Sequence, residues 1–280
     1  MHPNVYALGA IALWASLATL GVSLRHVPPF LLTGLALVIG SVPAWPLVRQ
    51  WKVPPRTLAL GIYGLFGYHF LLFTALRLAP PVEANLVNYL WPLFIVVLAP
   101  LFLPDLRLKP AHVLAALAGF AGAAIAILGG AGGAGGAGGA SGAWSWGYVP
   151  ALGSAFMWAS YSLWTRRVPA FPTAAIGLFG LVSGLLSLAC HALLEPAASL
   201  SGQDLLLVGV MGLGPLGAAF FLWDKALKGG DARQIGILSY ITPLASTALL
   251  VAATGRDLSA SIAVAAALII GAAVVGTRTA

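Results

Sequence analysis

The sequence predicts an all-α membrane protein of ten transmembrane helices, arranged as two inverted-topology five-helix repeats around a central cavity. Three observations carry this prediction: scarce charge, long apolar blocks and an internal repeat. Only 8% of the 280 residues are Asp, Glu, Lys or Arg, and 60% are hydrophobic, whereas a soluble domain carries about 25% charged residues. So few charges cannot cover a globule of this size unless its surface faces lipid. The composition therefore disfavours a soluble enzyme, a nucleic-acid-binding protein and a disordered chain.

Ten apolar blocks, separated by short breaks that hold Pro, Gly and most of the charge, are each close to the length that a membrane-spanning helix needs. They do not alternate with period 2, so helices are favoured over a closed β-barrel. The blocks cover residues 4–24, 30–48, 57–76, 82–103, 110–129, 146–165, 173–194, 204–225, 233–253 and 260–276.

The basic residues are distributed unevenly between the two sides of such a ten-span chain. Of the 14 Lys and Arg residues, eleven fall on one side and only Arg25, Arg77 and Arg256 on the other. The positive-inside rule then predicts that both termini lie in the cytoplasm. The net charge of +7 therefore indicates orientation and contact with anionic lipid head groups, and not an anionic substrate. No Lys or Arg precedes the first block, so we interpret it as a span of the mature fold and not as a signal peptide.

Residues 129–143 consist of Gly and Ala with a single Ser. Such a segment cannot pack a core and is typical of a flexible tether. It predicts two domains, residues 1–128 and 144–280, each with five spans.

Short motifs recur in the same order on both sides of this tether. The pairs are Trp14-Ala15-Ser16 with Trp158-Ala159-Ser160, Val27-Pro28-Pro29-Phe30 with Val168-Pro169-Ala170-Phe171, Ala75-Leu76-Arg77 with Ala226-Leu227-Lys228, and Tyr89-Leu90-Trp91-Pro92-Leu93 with Tyr240-Ile241-Thr242-Pro243-Leu244. The last two pairs share an offset of 151 positions, from 75 to 226 and from 89 to 240. Because five is odd, the second copy enters the membrane from the opposite side, as in many alternating-access transporters. A duplication without a transport role is the competing interpretation.

The run Asn88-Tyr89-Leu90-Trp91-Pro92, with Ala84-Asn85 before it, resembles the fourth helix of YddG-type aromatic amino-acid exporters, in the EamA-type branch of the drug/metabolite transporter superfamily. Ten spans in two halves resemble that branch over nearly the whole chain, although the Gly/Ala segment departs from it. The resemblance implies a secondary transporter that exports amino acids, including aromatic ones, across the bacterial inner membrane. An exporter of other metabolites or drugs on the same architecture is the alternative, and a membrane-embedded enzyme or scaffold is a remote one.

Two prolines lie well inside predicted spans four and nine, at equivalent positions of the repeat. Because a proline has no N–H group, Pro92 and Pro243 each leave one backbone carbonyl of the preceding turn without its hydrogen-bond donor. At membrane depth a carbonyl of this kind must face other parts of the protein or a water-filled cavity, and not lipid. The polar and aromatic residues beside these prolines form one helical stripe in each span. The stripes contain Asn85, Asn88 and Tyr89 in span four and Tyr240 in span nine. Substrate contact and hydrogen bonding between helices are both open for Asn85 and Asn88.

Further candidates for the substrate site lie deep in other spans. His69, beside Tyr68, is the ionisable residue deepest in the predicted membrane, roughly 18 Å from the cytoplasmic end of its span. Such residues mark ion or substrate paths, although a neutral His with one hydrogen bond is the alternative. Four deep aromatic residues suit a ligand with an apolar side chain and a zwitterionic head. They are Trp14, Trp91, Trp158 and Tyr161.

Other features restrict the chemistry. No acidic residue lies at the middle of a predicted span, which disfavours a carboxylate proton relay, and the sequence has no Gly-x-x-x-x-Gly-Lys loop for ATP. Cys190 is the only cysteine, so an intrachain disulfide or a multi-Cys metal site is excluded. We therefore predict a transporter and not an enzyme, without a cofactor or metal, whose partners are amino acids and the lipid bilayer and not nucleic acid. Proton coupling, facilitated diffusion and oligomeric state stay open.

Overall fold

The computed structural model describes residues 2–131, 145–254 and 260–278, so most of the predicted Gly/Ala tether lies outside the described residues. Every regular element in these ranges is helical, and the helical segments form ten rods, α1 to α10. Their bounds are α1 Pro3–Ser23, α2 Pro29–Trp51, α3 Pro55–Leu78, α4 Pro81–Phe102, α5 Pro110–Ala131, α6 Tyr148–Trp164, α7 Ala175–Leu194, α8 Gly202–Gly229, α9 Ala232–Leu238 with Ile241–Thr254, and α10 Ala260–Arg278.

Eight of these rods are long and apolar enough to cross a membrane, among the residues that the structure describes. The other two are α6, with 17 residues, and α9, which is divided into segments of 7 and 14 residues. The prediction of an all-helical, multi-pass membrane protein is therefore confirmed.

Irregular turns recur at a constant spacing along the chain. A π-helical turn interrupts α3 at Tyr63–Gly67 and another interrupts α8 at Gly214–Ala218, so the two begin 151 positions apart, at 63 and 214. The same offset relates the break in α4 after Asn88 to the break in α9 near Ser239. Turns of the π type are frequent at functional sites.

The structure corrects the expected role of the two prolines. The sequence places the prolines well inside continuous spans, but α4 and α9 are each broken into two segments. Pro92 and Pro243 stand in the first turn of the second segment, where a helix has no partner for its N–H groups. A proline therefore starts that segment without loss of an internal hydrogen bond.

The boundary of α8 also differs from the prediction. The helix continues to Gly229, four residues beyond the predicted end at 225, so that Trp223 and Asp224 lie inside it. Both side chains are buried. This boundary matters because it places an indole and a carboxylate within the bundle.

The helices pack so that five of them, α1, α3, α4, α6 and α8, surround the site described below. α3 and α4 lie along α6, and α1 lies along the second half of α8 and against α9. Outside this group α2 lies along α7 so closely that a Cβ atom on Gly184 would be 2.9 Å from the carbonyl oxygen of Gly34. Close approach at small residues is typical of helices packed in membranes.

Candidate functional site

Four tryptophans from four helices meet in the middle of the bundle. This indole cluster consists of Trp14 from α1, Trp91 from α4, Trp158 from α6 and Trp223 from α8. Their ring centroids are 5.2–6.5 Å apart, and each residue is at most 9% exposed. Since the rings touch one another, a ligand between them requires that the helices separate.

Hydrogen bonds hold two of these indoles in fixed orientations. The Nε1–H of Trp14 donates to the carbonyl oxygen of Pro215 at 3.0 Å, in the π-turn of α8. The Nε1–H of Trp223 donates to Oγ of Ser162 on α6 at 3.1 Å. A buried indole N–H needs such a partner, so these bonds set which faces of the rings are available.

Further aromatic residues surround Trp158. The ring centroids of Tyr68 and Tyr161 each lie 5.3 Å from it, and that of Phe220 lies 5.7 Å away. Tyr161 packs directly on Gly64 in the π-turn of α3, where a Cβ atom would lie 2.2 Å from the ring. The ring of Tyr161 can therefore occupy this position only because residue 64 has no side chain.

His69 lies two residues after the π-turn of α3 and is 6% exposed. Its Nδ1 is 2.6 Å from the carbonyl oxygen of Leu65, so Nδ1 carries the proton and donates. In the neutral ring Nε2 is then a hydrogen-bond acceptor. Rings of Tyr68, Phe73 and Phe220 border the imidazole at centroid distances of 4.9–6.4 Å.

Asn88 joins three helices at the break in α4. Its Nδ2 donates to the hydroxyl of Tyr68 at 3.3 Å, and its Oδ1 accepts from Oγ of Ser154 on α6 at 2.9 Å. Asn88 is 3% exposed. The amide therefore connects α3, α4 and α6 beside the aromatic rings.

The structure brings some of the predicted residues together and separates others. Tyr68, His69, Asn88, Trp91, Trp14, Trp158 and Tyr161 form one continuous group. Asn85 and Tyr89 are half-buried on α4, and Tyr89 lies in the break itself.

The remaining predicted site residues, Pro92 in α4 and Tyr240 and Pro243 in α9, lie outside the indole cluster. Tyr240 packs in a separate apolar cluster with Phe120, Ala123 and Ile269 and is not among the tryptophans. Pro92 lies against Gly236 of α9. A Cβ atom added to this glycine would be 3.1 Å from the carbonyl oxygen of Pro92. Pro243 is buried in α9.

Sequence reasoning missed Trp223, Phe220, Ser154 and Ser162. Trp223 lies only two residues before the predicted end of span eight at 225, and a tryptophan near a span end is ordinary. A small hydroxyl residue in an apolar helix gives no sequence signal of its own, so Ser154 and Ser162 became visible only through their partners.

Two grooves lie away from the indole cluster. One of about 500 Å³ separates the end of α2 from α8 and is lined by residues that include Ala44, Gln50, Thr173, Leu222 and Lys225. The other, of about 300 Å³, lies beside Tyr63 and Trp164. Within the described ranges, no three His, Cys, Asp or Glu residues are grouped to hold a metal ion.

Of two ion pairs near the helix ends, one differs from the expectation and one agrees with it. The sequence suggests that Arg77 lies near Glu83 and that Asp224 pairs with Lys225 or loop charges. Arg77 pairs instead with Glu195 at 2.6 Å, 118 positions away, which the sequence alone does not bring near it. Asp224 pairs with Lys228 at 2.6 Å, one helical turn later, and Lys228 is one of the charges in the predicted loop after span eight.

The chain is similar to known membrane proteins over nearly its whole length. Residues 3–128 and 145–277 match the model of the EamA-like transporter family. A protein of Ancylobacter novellus named "Aromatic amino acid exporter YddG" is 44% identical over 279 residues, which cover 96% of this chain and 94% of that protein. An "Uncharacterized transporter in sor 3'region" of Acidianus ambivalens is 26% identical over 218 residues, 77% of this chain and 81% of that protein. A solved crystal structure with 41% sequence identity aligns with a TM-score of 0.87 and covers 99% of this chain and 98% of that one.

Proposed function

This chain belongs to the EamA-like transporter family, and we propose that it is a secondary transporter that exports amino acids, including aromatic ones, across the bacterial inner membrane. The observation that carries the proposal is the indole cluster with His69 and Asn88 at its edge, in a chain 44% identical to a protein named as an aromatic amino-acid exporter. Exporters of other metabolites or drugs are the alternative that the experiment below separates.

The architecture in this proposal is two inverted-topology repeats of five spans, residues 1–128 and 144–280, joined by the tether at 129–143. The offset of 151 positions between the π-turns of α3 and α8 supports it. So does the equal offset between the breaks of α4 and α9. The 17 residues of α6 are at the lower limit for a span, and discontinuous helices such as α4 and α9 are typical of transporter binding sites.

The orientation in this proposal places both termini in the cytoplasm. Its support is the distribution of Lys and Arg, eleven against three, over the alternate sides of ten spans. Anionic lipid head groups would then contact the cytoplasmic side, which has eleven of the 14 Lys and Arg residues.

The chemistry of the site matches an amino acid with an apolar side chain. Trp91 and Trp158 present ring faces and edges on which an aromatic side chain stacks. Nε2 of His69 is an acceptor for the α-ammonium group when the ring is neutral. Asn88 supplies an amide at the break of α4, and a broken helix adds main-chain groups that can bind the charged head.

Alternating access would expose this one site to each side of the membrane in turn. Because the indoles are in contact with one another, the substrate enters only after the two halves move apart. The breaks that contain Pro92 and Pro243 are the positions at which α4 and α9 can bend.

The test is uptake of radiolabelled phenylalanine and tryptophan into liposomes that contain the purified protein. We expect flux above that of empty liposomes, and competition by unlabelled aromatic amino acids. Folded protein without such flux would contradict the substrate assignment. A thermal-shift panel of amino acids, cationic drugs and nucleosides identifies the alternative class, because a ligand that binds only the folded state stabilises it. The same assay with and without a pH gradient separates proton antiport from facilitated diffusion.

A further inference from the structure

Two clusters, each with a buried carboxylate, a basic side chain and a phenylalanine ring, lie at opposite ends of α7. The Glu195 cluster, just after the helix, contains Phe30, Arg77, His191 and Glu195. The Asp224 cluster, just before the helix, contains Phe171, Thr173, Asp224 and Lys228. Since α7 has 20 residues, its ends are about 30 Å apart, so the two clusters occupy opposite faces of the bundle.

In the Glu195 cluster one buried carboxylate joins three helices. The Glu195 side chain is 0% exposed and accepts from Nη2 of Arg77 on α3 at 2.6 Å. It also accepts from the backbone N–H groups of Phe30 and Leu31 at the start of α2, at 3.0–3.2 Å, and lies 3.0 Å from Nδ1 of His191. The Arg77 guanidinium lies over the Phe30 ring at 5.5 Å.

The Asp224 cluster has a related geometry on the other face. The Asp224 side chain is 1% exposed and accepts from Nζ of Lys228 and from Oγ1 of Thr173, each at 2.6 Å. Lys228 also donates to the carbonyl oxygen of Phe171 at 2.8 Å, and its ammonium group lies 3.8 Å from the centre of the Phe171 ring.

The internal sequence repeat explains the likeness. Phe30 corresponds to Phe171 in one pair of matching motifs, and Arg77 corresponds to Lys228 in another. In each half these two separate motifs meet as a cation over an aromatic ring, a contact that is favourable at partly desolvated sites. The matching motifs thus make the same kind of contact in both halves.

The carboxylates break this symmetry. Glu195 follows the Gly/Ala segment in the chain, whereas Phe30 and Arg77 precede it, so the Glu195 cluster ties the two halves together. Asp224 belongs to the same half as Phe171 and Lys228, and within the described ranges its hydrogen-bond partners, Thr173 and Lys228, come from that half as well. Beside the Asp224 cluster the groove of about 500 Å³ separates α2 from α8.

Aromatic rings connect the Glu195 cluster to the candidate site. The Phe30 ring lies 5.6 Å from that of Phe73, which lies 5.9 Å from the imidazole of His69. Arg77 stands one turn after Phe73 on the same helix. The ion pair therefore holds these rings over His69.

We propose that Glu195 is a latch that closes one face of the transporter by tying α3 to α2 and α7, and that Asp224, its counterpart on the other face, is not a latch between the halves. The proposal rests on the proposed function, in whose orientation the Glu195 cluster lies at the periplasmic face. Release of Arg77 frees the end of α3 and uncovers the path past Phe73 to His69. Arg167 and Arg233, which donate to the main-chain carbonyls of Phe102 and Arg107, join the halves independently.

The single cysteine of the chain makes an accessibility test simple. In a Cys190→Ala background, Ser154→Cys places one thiol beside Asn88, where the native Ser154 is 0% exposed. Its reaction with a membrane-impermeant methanethiosulfonate reagent is measured from the periplasmic side in cells and from the cytoplasmic side in inverted vesicles.

Arg77→Gln and Glu195→Gln are expected to raise the rate from the periplasmic side by about tenfold, the effect of losing one charged hydrogen bond from the closed state. Asp224→Asn and Lys228→Gln are the matched variants of the other cluster and are expected to leave that rate unchanged. Arg77 is 43% exposed, so its substitution is compatible with folding even if that of the buried Glu195 is not.

An unchanged periplasmic rate in folded Arg77→Gln would overturn the latch. An equal rise in Asp224→Asn, or a rise only from the cytoplasmic side, would do the same. Flux is measured on the same samples, so the two proposals fail separately. If the labelling rate changes but no amino-acid flux is seen, the latch is supported and the substrate assignment is contradicted. If flux is seen but the labelling rate does not change, the latch is contradicted.

Discussion

The indole N–H of Trp14 on α1 donates a hydrogen bond to the carbonyl oxygen of Pro215, 3.0 Å away in the π-turn of α8. The two residues are 201 positions apart and belong to opposite halves of the chain. A π-turn shifts the hydrogen-bonding register of its helix, so its carbonyls can accept from a partner outside it. The bond thus ties the indole cluster to an irregular turn, and it does so in a buried place where an unpaired carbonyl is costly.

The substitution Trp14→Phe removes this donor and keeps an aromatic ring. We expect a loss of about 1–3 kcal/mol in stability, the cost of leaving a buried acceptor unsatisfied, together with reduced amino-acid flux. Thermal unfolding in detergent and liposome uptake measure the two effects. Trp146→Phe is the control, because Trp146 is 76% exposed. Equal behaviour of the two variants would show that the bond to Pro215 contributes nothing.

Direct substrate contact at the site is tested by Trp91→Ala and His69→Ala. Both are expected to lower flux by about tenfold or more relative to Trp146→Ala, because the loss of one strong substrate contact weakens binding by at least that factor. Because removal of a buried indole also costs about 3–5 kcal/mol in stability, the stabilisation of each folded variant by added tryptophan is measured too. A variant that retains full ligand-induced stabilisation would remove that residue from the binding site.

Asn88 distinguishes hydrogen bonding between helices from substrate contact. In a double-mutant cycle, Asn88→Ala and Ser154→Ala are expected to show a coupling of about 0.6 kcal/mol in stability, the average for such bonds in membranes. If Asn88 also binds substrate, Asn88→Ala lowers flux beyond the loss seen in Ser154→Ala at equal stability. Equal flux in both variants would assign Asn88 to helix packing alone.

The sequence predicted some of this site well and some of it poorly, for physical reasons. Asn88 and His69 were found because a polar group in an apolar helix is costly and must face protein. Trp223 was missed because span ends are uncertain by a few residues, and that uncertainty is enough to move a tryptophan from the interface to the interior. Tyr240 was included because the repeat equates it with Tyr89, yet it packs against Phe120.

The same reasoning covers the fold. Apolar length and charge scarcity predicted helices in a membrane, and the structure confirms them. The breaks of α4 and α9 were expected as kinks, since a proline in sequence shows that a helix is perturbed but not whether a new segment begins there. Long-range pairs such as Arg77 with Glu195, 118 positions apart, are set by helix packing, which no local pattern reports.

Gly64 is predicted to tolerate no side chain. A Cβ atom there would lie 2.2 Å from the ring of Tyr161, so Gly64→Ala must displace a ring that packs on Trp158. We expect a loss of about 1–3 kcal/mol in stability, as for other overpacked sites, and lower flux. At Gly21 a Cβ atom would meet nothing within 4 Å, so Gly21→Ala is the matched control and should retain or slightly raise stability. An unfolding midpoint of Gly64→Ala equal to that of Gly21→Ala would contradict the packing.

Asp231 makes a pH-dependent contribution outside the membrane spans. It lies between α8 and α9, accepts from the backbone N–H of Arg233 at 2.8 Å and pairs with the guanidinium of that residue, with Nη2 to Oδ2 at 2.5 Å. Partial burial acts to raise the pKa of Asp231, but the hydrogen bonds and charge of Arg233 outweigh it and hold the pKa below its usual value. The usual value is about 3.9.

A carboxyl group whose pKa is lowered on folding stabilises the folded state above its unfolded pKa and loses that contribution as the pH falls through the folded pKa. Wild-type protein is therefore expected to have a higher unfolding midpoint than Asp231→Asn at pH 5–7 (about one to three units above the reference Asp pKa). Below about pH 4 the difference should begin to shrink, because the carboxyl group becomes protonated in the unfolded state. It should be lost as the pH falls through the lower pKa of the folded state, where Asp231 also becomes neutral. Asn also caps helices well, so the comparison isolates the charge, and Asp105→Asn in an exposed loop serves as the control. A difference that stays constant down to pH 3, about one unit below the reference value, would show that the ion pair with Arg233 does not act through the charge of Asp231.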